Sequence, residues 1–237
     1  MIQSIENEKV KEYLKLKQKK FRDQSDTFVI EGPHLVEMAL TKNQVFRIYT
    51  TKPESYYPVE TIWISEAIAK KLSDVETPQG IFAICQKNNQ MKSSNRVVLL
   101  DRIQDPGNVG TILRNAVAFG FDTIVAEDSA DFYQSKVIRS SQGAIFHIQL
   151  ISEPILHFMN KNPNLYVRST ALQDAIPLED APKIAEPFAL CFGNEGSGIQ
   201  SSILKQSQDR VRIEMTEMES LNVAVACGIM LYHHRMK

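Results

Sequence analysis

From residue 97 to the end of the chain, short apolar segments alternate with segments of helical periodicity. Parallel strands need long crossover connections, and helices supply these while they cover both faces of a sheet. The alternation therefore predicts an α/β domain with a mostly parallel sheet. The predicted strands are 97–101, 123–126, 145–150, 165–170, 188–192 and 210–213, and the predicted helices are 109–119, 135–141, 155–160, 201–206 and 222–233.

The first 86 residues predict a second, smaller α/β domain. Its predicted helices are 4–21, 33–41 and 65–72, and its predicted strands are 28–30, 45–50, 61–64 and 80–85. The segment 86–95, QKNNQMKSSN, has almost nothing to bury. We therefore predict a domain at 1–86, a linker at 87–95 and a second domain at 96–237.

Charge is distributed unevenly along the chain. The net charge of −1 argues against nucleic acid, yet residues 9–22 contain seven basic residues and one acid. Two interpretations stay open: a solvated helix face, or a contact with an RNA or DNA backbone. Lys11, Lys15, Lys19 and Arg22 are spaced to share one face of the predicted helix 4–21, and they are the candidate RNA contacts.

The three cysteines, Cys85, Cys191 and Cys227, all lie in apolar segments. Their odd number and their setting predict buried reduced thiols rather than disulfides or a metal site. The longest apolar run, 223–231, is too short to span a bilayer, and the N-terminal segment has no apolar signal-peptide region. We expect a cytoplasmic protein.

A glycine-rich loop follows the apolar strand in PFALCFGNEGSGI, residues 187–199. Gly193, Gly196 and Gly198 allow backbone groups to approach a flat ligand, although a plain tight turn would also use them. A dinucleotide loop is disfavoured because the glycine order is GxxGxG and because Glu195 would repel a pyrophosphate.

Two further segments carry polar residues at helix starts. In DRIQDPGNVGTILRNAVAFG, Asn108 is predicted to cap a helix, and Arg114 projects away from its buried stripe. In RVRIEMTEMESLNVAVACGIML, Ser220 is the predicted N-cap, and Asn222 is a first-turn residue whose amide could cap the helix or bind a ligand. The last helix is apolar nearly all round and carries small residues, which predicts a homodimer contact.

Taken in order, NxxxxxR, GNEGxG and ESLNVAxA resemble the three motifs of the SpoU (TrmH-like) family of RNA ribose 2′-O-methyltransferases, a branch of the SPOUT superfamily. The segments KLKQKKFRDQSDTFVIEGPHLVEMAL and TPQGIFAIC resemble the ribosomal-protein-like substrate-binding domain of rRNA-modifying members. The resemblance spans nearly the whole chain.

This resemblance implies a C-terminal trefoil knot, a homodimer, and S-adenosylmethionine as cofactor, without a metal. It implies transfer of a methyl group to a ribose 2′-hydroxyl of structured RNA, most simply rRNA. The alternatives are a tRNA ribose methyltransferase and a non-catalytic RNA-binding protein on the same fold. The implied cofactor residues are Gly193, Asn194, Glu195, Ile213, Met215 and Leu221, and the implied catalytic residues are Asn108, Arg114, Glu195, Ser220 and Asn222.

Two features of these motifs leave questions open. Arg114 is the family's proposed base, but a free guanidinium loses its proton only above about pH 12, so a phosphate clamp or oxyanion stabiliser is the alternative. The third motif also has Glu217 and Glu219 where many members have small or neutral residues. Acids at these positions could repel RNA or change the cofactor pocket.

Overall fold

The computed structural model describes residues 1–54, 56–88, 94–218 and 220–235. The elements in chain order are α1 (Glu8–Lys15), α2 (Lys19–Ser25), β1 (Thr27–Glu31), α3 (Pro33–Thr41), β2 (Val45–Thr50), β3 (Glu60–Trp63), α4 (Glu66–Leu72), β4 (Ile81–Gln86), β5 (Arg96–Asp101), α5 (Pro106–Ala118), β6 (Thr123–Glu127), α6 (Ser135–Ser141), β7 (Gln149–Ser152), α7 (Ile155–Lys161), β8 (Tyr166–Thr170), β9 (Ile176–Pro177), β10 (Phe188–Gly193), α8 (Ser201–Gln206), β11 (Asp209–Arg212) and α9 (Val223–His233).

These elements form two compact units. The N-terminal unit contains residues 1–88 together with 133–146, and the C-terminal unit contains residues 94–132 and 147–235. The division of the chain into 1–86, 87–95 and 96–237 stays a prediction, and residues 89–93 of the predicted linker lie outside the described residues.

The N-terminal unit is built on a four-stranded sheet with the strand order β1-β4-β2-β3. Strand β4 is antiparallel to β1 and β2, whereas β2 and β3 are parallel. Val10 and Tyr13 of α1 and Ile68 and Leu72 of α4 pack with the strand residue Phe82 in one buried cluster. This sheet and its helices have the small α/β fold that the sequence predicts for the N-terminal part of the chain.

The basic segment forms two helices, so the prediction of one helix over 4–21 is wrong. Helix α1 ends at Lys15 and α2 begins at Lys19. Arg22 causes much of this break, because its guanidinium donates to the carbonyl oxygens of Leu16 (2.9 Å) and Lys17 (2.7 Å). Its exposed fraction is only 4%. The predicted shared basic face does not form, and Arg22 is withdrawn from the candidate RNA contacts.

The C-terminal unit confirms the predicted parallel sheet. Its seven strands have the order β7-β6-β5-β10-β8-β11-β9, and every neighbouring pair is parallel. Helices α7 and α8 pack on apolar side chains of β5, β6, β8 and β10, while α5 and α9 pack on each other. Because all strands are parallel, the loops that follow β5, β8 and β10 gather at one edge of the sheet.

One local prediction is wrong, and one strand was not predicted. The predicted strand 145–150 is a short 3₁₀ helix at Ala144–Phe146, followed by β7. The two-residue strand β9, which is paired only with β11, has no sequence signal of its own. Both differences arise because strand pairing is decided by a distant neighbour rather than by local periodicity.

Burial sets the state of the cysteines. Cys85, Cys191 and Cys227 are buried free thiols, and burial raises the pKa of each thiol above its ordinary value. This confirms the predicted buried reduced thiols. Among the described helices, none is both long and apolar enough to cross a membrane.

Candidate active site

A cavity of about 530 Å³ lies beyond the carboxyl ends of β8, β10 and β11. Such a volume is in the range of small-molecule sites, which is roughly 300–1,000 Å³. The structure brings five of the six predicted cofactor residues to its wall, and Gly193 lies directly before them at the end of β10. The five wall residues are Asn194, Glu195, Ile213, Met215 and Leu221.

The glycine-rich loop is held in a compact turn by hydrogen bonds to the Asn194 side chain and by a close approach between its two ends. The Asn194 side chain accepts hydrogen bonds from the backbone of Gly196 (2.9 Å) and Ser197 (3.2 Å). A Cβ on Gly193 would lie 2.3 Å from the carbonyl carbon of Gly198, which has a φ of +64°. The loop is thus a tight turn and also a cavity wall, so the two interpretations of the glycines are compatible.

Three predicted catalytic residues are joined by hydrogen bonds. The Asn108 amide donates to a Glu195 carboxylate oxygen (2.6 Å), and the Asn222 amide donates to the Asn108 oxygen (3.0 Å). These residues lie 87 and 114 positions apart in the chain. The contacts therefore link the loop after β10 to the starts of α5 and α9.

Both predicted helix caps lie elsewhere. Asp105 caps α5 by accepting from the backbone of Asn108 (2.9 Å), which leaves the Asn108 side chain free to bind Glu195. Asn222, rather than Ser220, caps α9, because its oxygen accepts from Ala224 (2.9 Å). The Asn222 amide nitrogen still reaches Asn108, so this side chain caps the helix and joins the site.

The remaining predicted catalytic residues differ in position. Ser220 lines the cavity together with Glu195. Arg114 is exposed on α5, and within the described part of the chain no hydrogen bond or ion pair links it to the other four catalytic candidates. Glu217 is exposed and away from the cavity wall, while Glu219 lies outside the described residues.

The candidate RNA contacts lie on the N-terminal unit. Lys11, Lys15 and Lys19 are exposed. Lys11 pairs with Glu6 (2.5 Å) and Lys19 pairs with Asp23 (3.0 Å). Exposed ion pairs of this kind contribute at most about 1 kcal/mol, so these lysines can exchange their partners for phosphate.

The cavity also has wall residues that sequence reasoning missed. They include the loop after β8, with Leu172 and Asp174, and the strand residues Arg210 and Arg212. Together with Glu195 these side chains offer both signs of charge beside an apolar surface. That set fits a ligand with a flat apolar part, an ammonium group and a carboxylate, as S-adenosylmethionine has. The only available signal was their position just after or within strands of one parallel sheet.

Comparisons with known proteins agree with this geometry. The family model described as SpoU rRNA Methylase family matches residues 95–232, and the MRM3-like substrate binding domain matches residues 7–83. The chain is 37% identical over 245 residues to the 23S rRNA (guanosine(2553)-2′-O)-methyltransferase RlmP of Bacillus subtilis, with 99% of this chain and 98% of that protein covered.

Two solved structures of rRNA methyltransferases superimpose on nearly the whole chain. The crystal structure of an rRNA methyltransferase from Sinorhizobium meliloti superimposes with a TM-score of 0.90 at 26% identity, covering 98% of this chain and 96% of that one. The AdoMet-bound crystal structure of an rRNA methyltransferase from the same organism has a TM-score of 0.88 at 26% identity, with the same coverage of both chains.

Proposed function

Because this chain belongs to the SpoU rRNA methylase family, we propose that it transfers a methyl group from S-adenosylmethionine to a ribose 2′-hydroxyl of ribosomal RNA. The observation that carries this function is the hydrogen-bonded set Asn108, Glu195 and Asn222 beside the cavity formed by the glycine-rich loop. The matched substrate-binding domain at residues 7–83 favours rRNA over tRNA.

The cavity supports a bent cofactor held mainly by the backbone. In this proposal Gly193, Ile213 and Leu221 contribute backbone groups, with Asn194, Glu195 and Met215 alongside. When bound, S-adenosylmethionine supplies an electrophilic methyl group on a sulfonium. The negative charge of Glu195 suits such a cationic ligand, and the nearby Arg210 and Arg212 suit its carboxylate.

The catalytic residues act in this proposal by orientation and by charge. Asn222 orients the Asn108 amide, and Asn108 in turn fixes the Glu195 carboxylate against the cavity. Holding the reacting groups in line removes much of the barrier to transfer. The exposed guanidinium of Arg114 is suited to binding RNA phosphate or stabilising the developing oxyanion. The alternative role of Arg114 is that of the general base.

The decisive experiment maps every ribose methylation of the cell's RNA by mass spectrometry in a deletion strain. We expect one rRNA methylation to be lost and to return when purified protein and S-adenosylmethionine are added. A methylation lost from tRNA would indicate the tRNA alternative. An unchanged map, together with calorimetry that detects no S-adenosylmethionine binding, would favour the non-catalytic RNA-binding protein.

We also propose that the chain forms a homodimer through α9. The helix exposes Val225, Ile229 and Tyr232, whose exposed fractions lie between 40% and 54%. Neighbouring exposed apolar side chains of this kind mark interaction surfaces. Light scattering at micromolar concentration should give the mass of two chains, and a monomer that methylates RNA would overturn the proposal. The cytoplasmic location stays a prediction of the sequence.

The trefoil knot belongs to the same proposal. Its support is the insertion of β10 between β5 and β8, after which the chain adds β11 and returns as α9 to contact α5 and β10. An unknotted chain pulled from its ends extends to at most about 3.6 Å per residue. Mechanical unfolding should therefore give a final length clearly below that limit, and a full-length extension would contradict the knot.

A further inference from the structure

The side chain of Asp101 is a buried charge that the proposed reaction does not use. Asp101 ends the central strand β5, next to Gly193 of β10 in the sheet register, and its exposed fraction is 0%. Burying a carboxylate is costly unless hydrogen-bond donors compensate it. The hydrogen-bond donors around Asp101 therefore show which part of the structure its carboxylate holds in place.

Four donors converge on this carboxylate, and two come from Gln200, which directly follows the glycine-rich loop. Oδ2 accepts from the backbone N–H of Gln200 (2.7 Å), and Oδ1 accepts from the Gln200 side-chain amide (2.8 Å). The other two donors are Nε (2.9 Å) and Nη2 (3.3 Å) of Arg102. Such charge-assisted hydrogen bonds are the strong ones.

Arg102 extends this connection to both ends of the loop. Its Nη2 donates to the Gly198 carbonyl (3.2 Å), and its own carbonyl accepts from the Asn194 side-chain amide (3.1 Å). Its φ of +59° lies in the left-handed region, which a residue with a side chain rarely adopts. The fold thus keeps an arginine where glycine would be less strained.

We propose that Asp101 and Arg102 are positioning residues that preorganise the glycine-rich loop, residues 193–199, for S-adenosylmethionine. The inference rests on the proposed function, because it assumes that this loop holds the cofactor. A loop already held at Asn194, Gly198 and Gln200 loses little conformational entropy when the ligand binds. The two residues therefore set cofactor affinity, without contact with the reacting atoms.

Arg102→Gly separates positioning from folding. Glycine adopts a positive φ without strain, and this gain offsets part of the stability that is lost when the side-chain contacts with Asp101 and Gly198 are removed. We expect the KM for S-adenosylmethionine to rise about tenfold, as for the loss of one or two hydrogen bonds, with kcat and the KM for RNA within about twofold. Arg102→Lys, which keeps the charge but not the fork of donors, should recover part of the affinity.

The matched control is Asp26→Gly, which places glycine at another positive φ, of 52°, in the N-terminal unit. It should leave the KM for S-adenosylmethionine unchanged. In ligand-free protein, hydrogen exchange of residues 193–199 should be faster in Arg102→Gly than in wild type and the control. Wild-type exchange in that variant, or a fall of kcat as large as the rise of the KM for S-adenosylmethionine, would overturn the proposal. Failure of the wild type to bind S-adenosylmethionine would instead overturn the proposed function, while the exchange comparison still decides positioning.

Discussion

At the scale of single residues, Asn108 shows how one amide can order a site. Its nitrogen can only donate and its oxygen can only accept, so binding Glu195 through one and Asn222 through the other sets the orientation of the whole group. Neither neighbour could be replaced by a group of the opposite hydrogen-bonding type without leaving a polar atom unpaired. The Asn108 amide therefore fixes the orientation of both neighbours, which a charged group alone would not do.

Asn108→Asp should replace the hydrogen bond to Glu195 with electrostatic repulsion. It places a second carboxylate against Glu195, and the repulsion between two ionised acids in contact is relieved only when one of them binds a proton. We expect kcat/KM at pH 7.5 to fall by about 100-fold, with partial recovery as the pH is lowered and one acid becomes protonated. A pH profile of methyl transfer measures this. Asn108→Ala should lose activity without that recovery, and matching profiles for the two variants would contradict the expectation.

Arg114 has no place in the cavity wall, which separates its role from cofactor binding. Arg114→Ala should lower kcat by about 1,000-fold, as the loss of a charged transition-state partner does. The Kd for S-adenosylmethionine, measured by calorimetry, should stay within about twofold. Lys183→Ala, which removes an exposed positive charge from the same unit, should leave both quantities unchanged. Loss of cofactor binding in Arg114→Ala would show that the assigned role is wrong.

At the scale of elements, the glycine-rich loop depends on close backbone approach and not on flexibility. Gly193 faces the backbone of Gly198 and Ile199, whereas Gly196 has only the Asn194 side-chain oxygen within 4 Å of a potential Cβ, at 3.5 Å. Backbone cannot move aside as a side chain can. The two glycines therefore differ in what an added methyl group would do.

Gly193→Ala should raise the KM for S-adenosylmethionine by at least about tenfold and lower Tm, because its Cβ would lie 2.3–2.4 Å from backbone atoms. Gly196→Ala is the matched control for Tm, since within the protein its Cβ would meet only an ordinary van der Waals distance. Steady-state kinetics and thermal unfolding of both variants provide the comparison. Equal falls of Tm in the two variants would refute the steric reason.

Of the four candidate RNA contacts on helices α1 and α2, three exposed lysines remain after Arg22 is withdrawn. Changing Lys11, Lys15 and Lys19 together to glutamine should flatten the plot of log K for RNA against log salt by about two to three units, if each lysine meets a phosphate. Cofactor affinity should not change. The control changes Lys42, Lys52 and Lys70, which are also exposed in the N-terminal unit. An unchanged salt slope in the first variant would assign the basic segment to solvent.

At the scale of the molecule, the end of the C-terminal unit is held by a fully buried arginine. Arg168 of β8 binds Asp209 of β11 (2.6 and 2.8 Å) and the Nε2 atom of His234 (2.9 Å), just after α9. A guanidinium only donates, so Nε2 must accept, and Nδ1 donates to the Met230 carbonyl (2.8 Å). This arrangement requires a neutral His234.

The neutral state of His234 makes stability depend on pH. Burial, with the nearby Arg168 charge, lowers the pKa of His234 to about 4, whereas an unfolded histidine titrates near 6.5. As pH falls from 6.5 towards 4, the unfolded chain binds the proton first, so the free energy of unfolding decreases. The expected loss by pH 5 is about 1–2 kcal/mol, reduced for partial exposure.

The comparison with His234→Gln isolates this contribution, because carboxylates such as Asp23 and Asp74, whose pKa values are lowered by hydrogen bonds to lysines, also weaken the fold in acid. Denaturant unfolding between pH 4.5 and 7.5 should show a shallower pH dependence for the variant than for the wild type. Parallel curves would mean that His234 does not control acid stability.

Local sequence patterns determined much of this protein. The alternation of apolar strands with helices was enough to predict the parallel sheet, because both periodicities follow from backbone geometry within a few residues. In the N-terminal unit, the boundaries of α3 (Pro33–Thr41) and β2 (Val45–Thr50) agree with the predicted helix 33–41 and strand 45–50. The ordered motifs also identified the family and three side chains that meet, namely Asn108, Glu195 and Asn222.

Tertiary structure alone decided what depends on partners distant in the sequence. Arg22 binds the carbonyl oxygens at the break between α1 and α2, and Asp105 rather than Asn108 caps α5. At each of these places several side chains had comparable local propensity, and the surrounding contacts selected one of them. The register of β10 beside β5 places Asp101 against Gly193 and the loop that follows. The sequence shows which polar groups are present, but only the order of the strands decides which of them lie close enough to bind the buried Asp101 carboxylate.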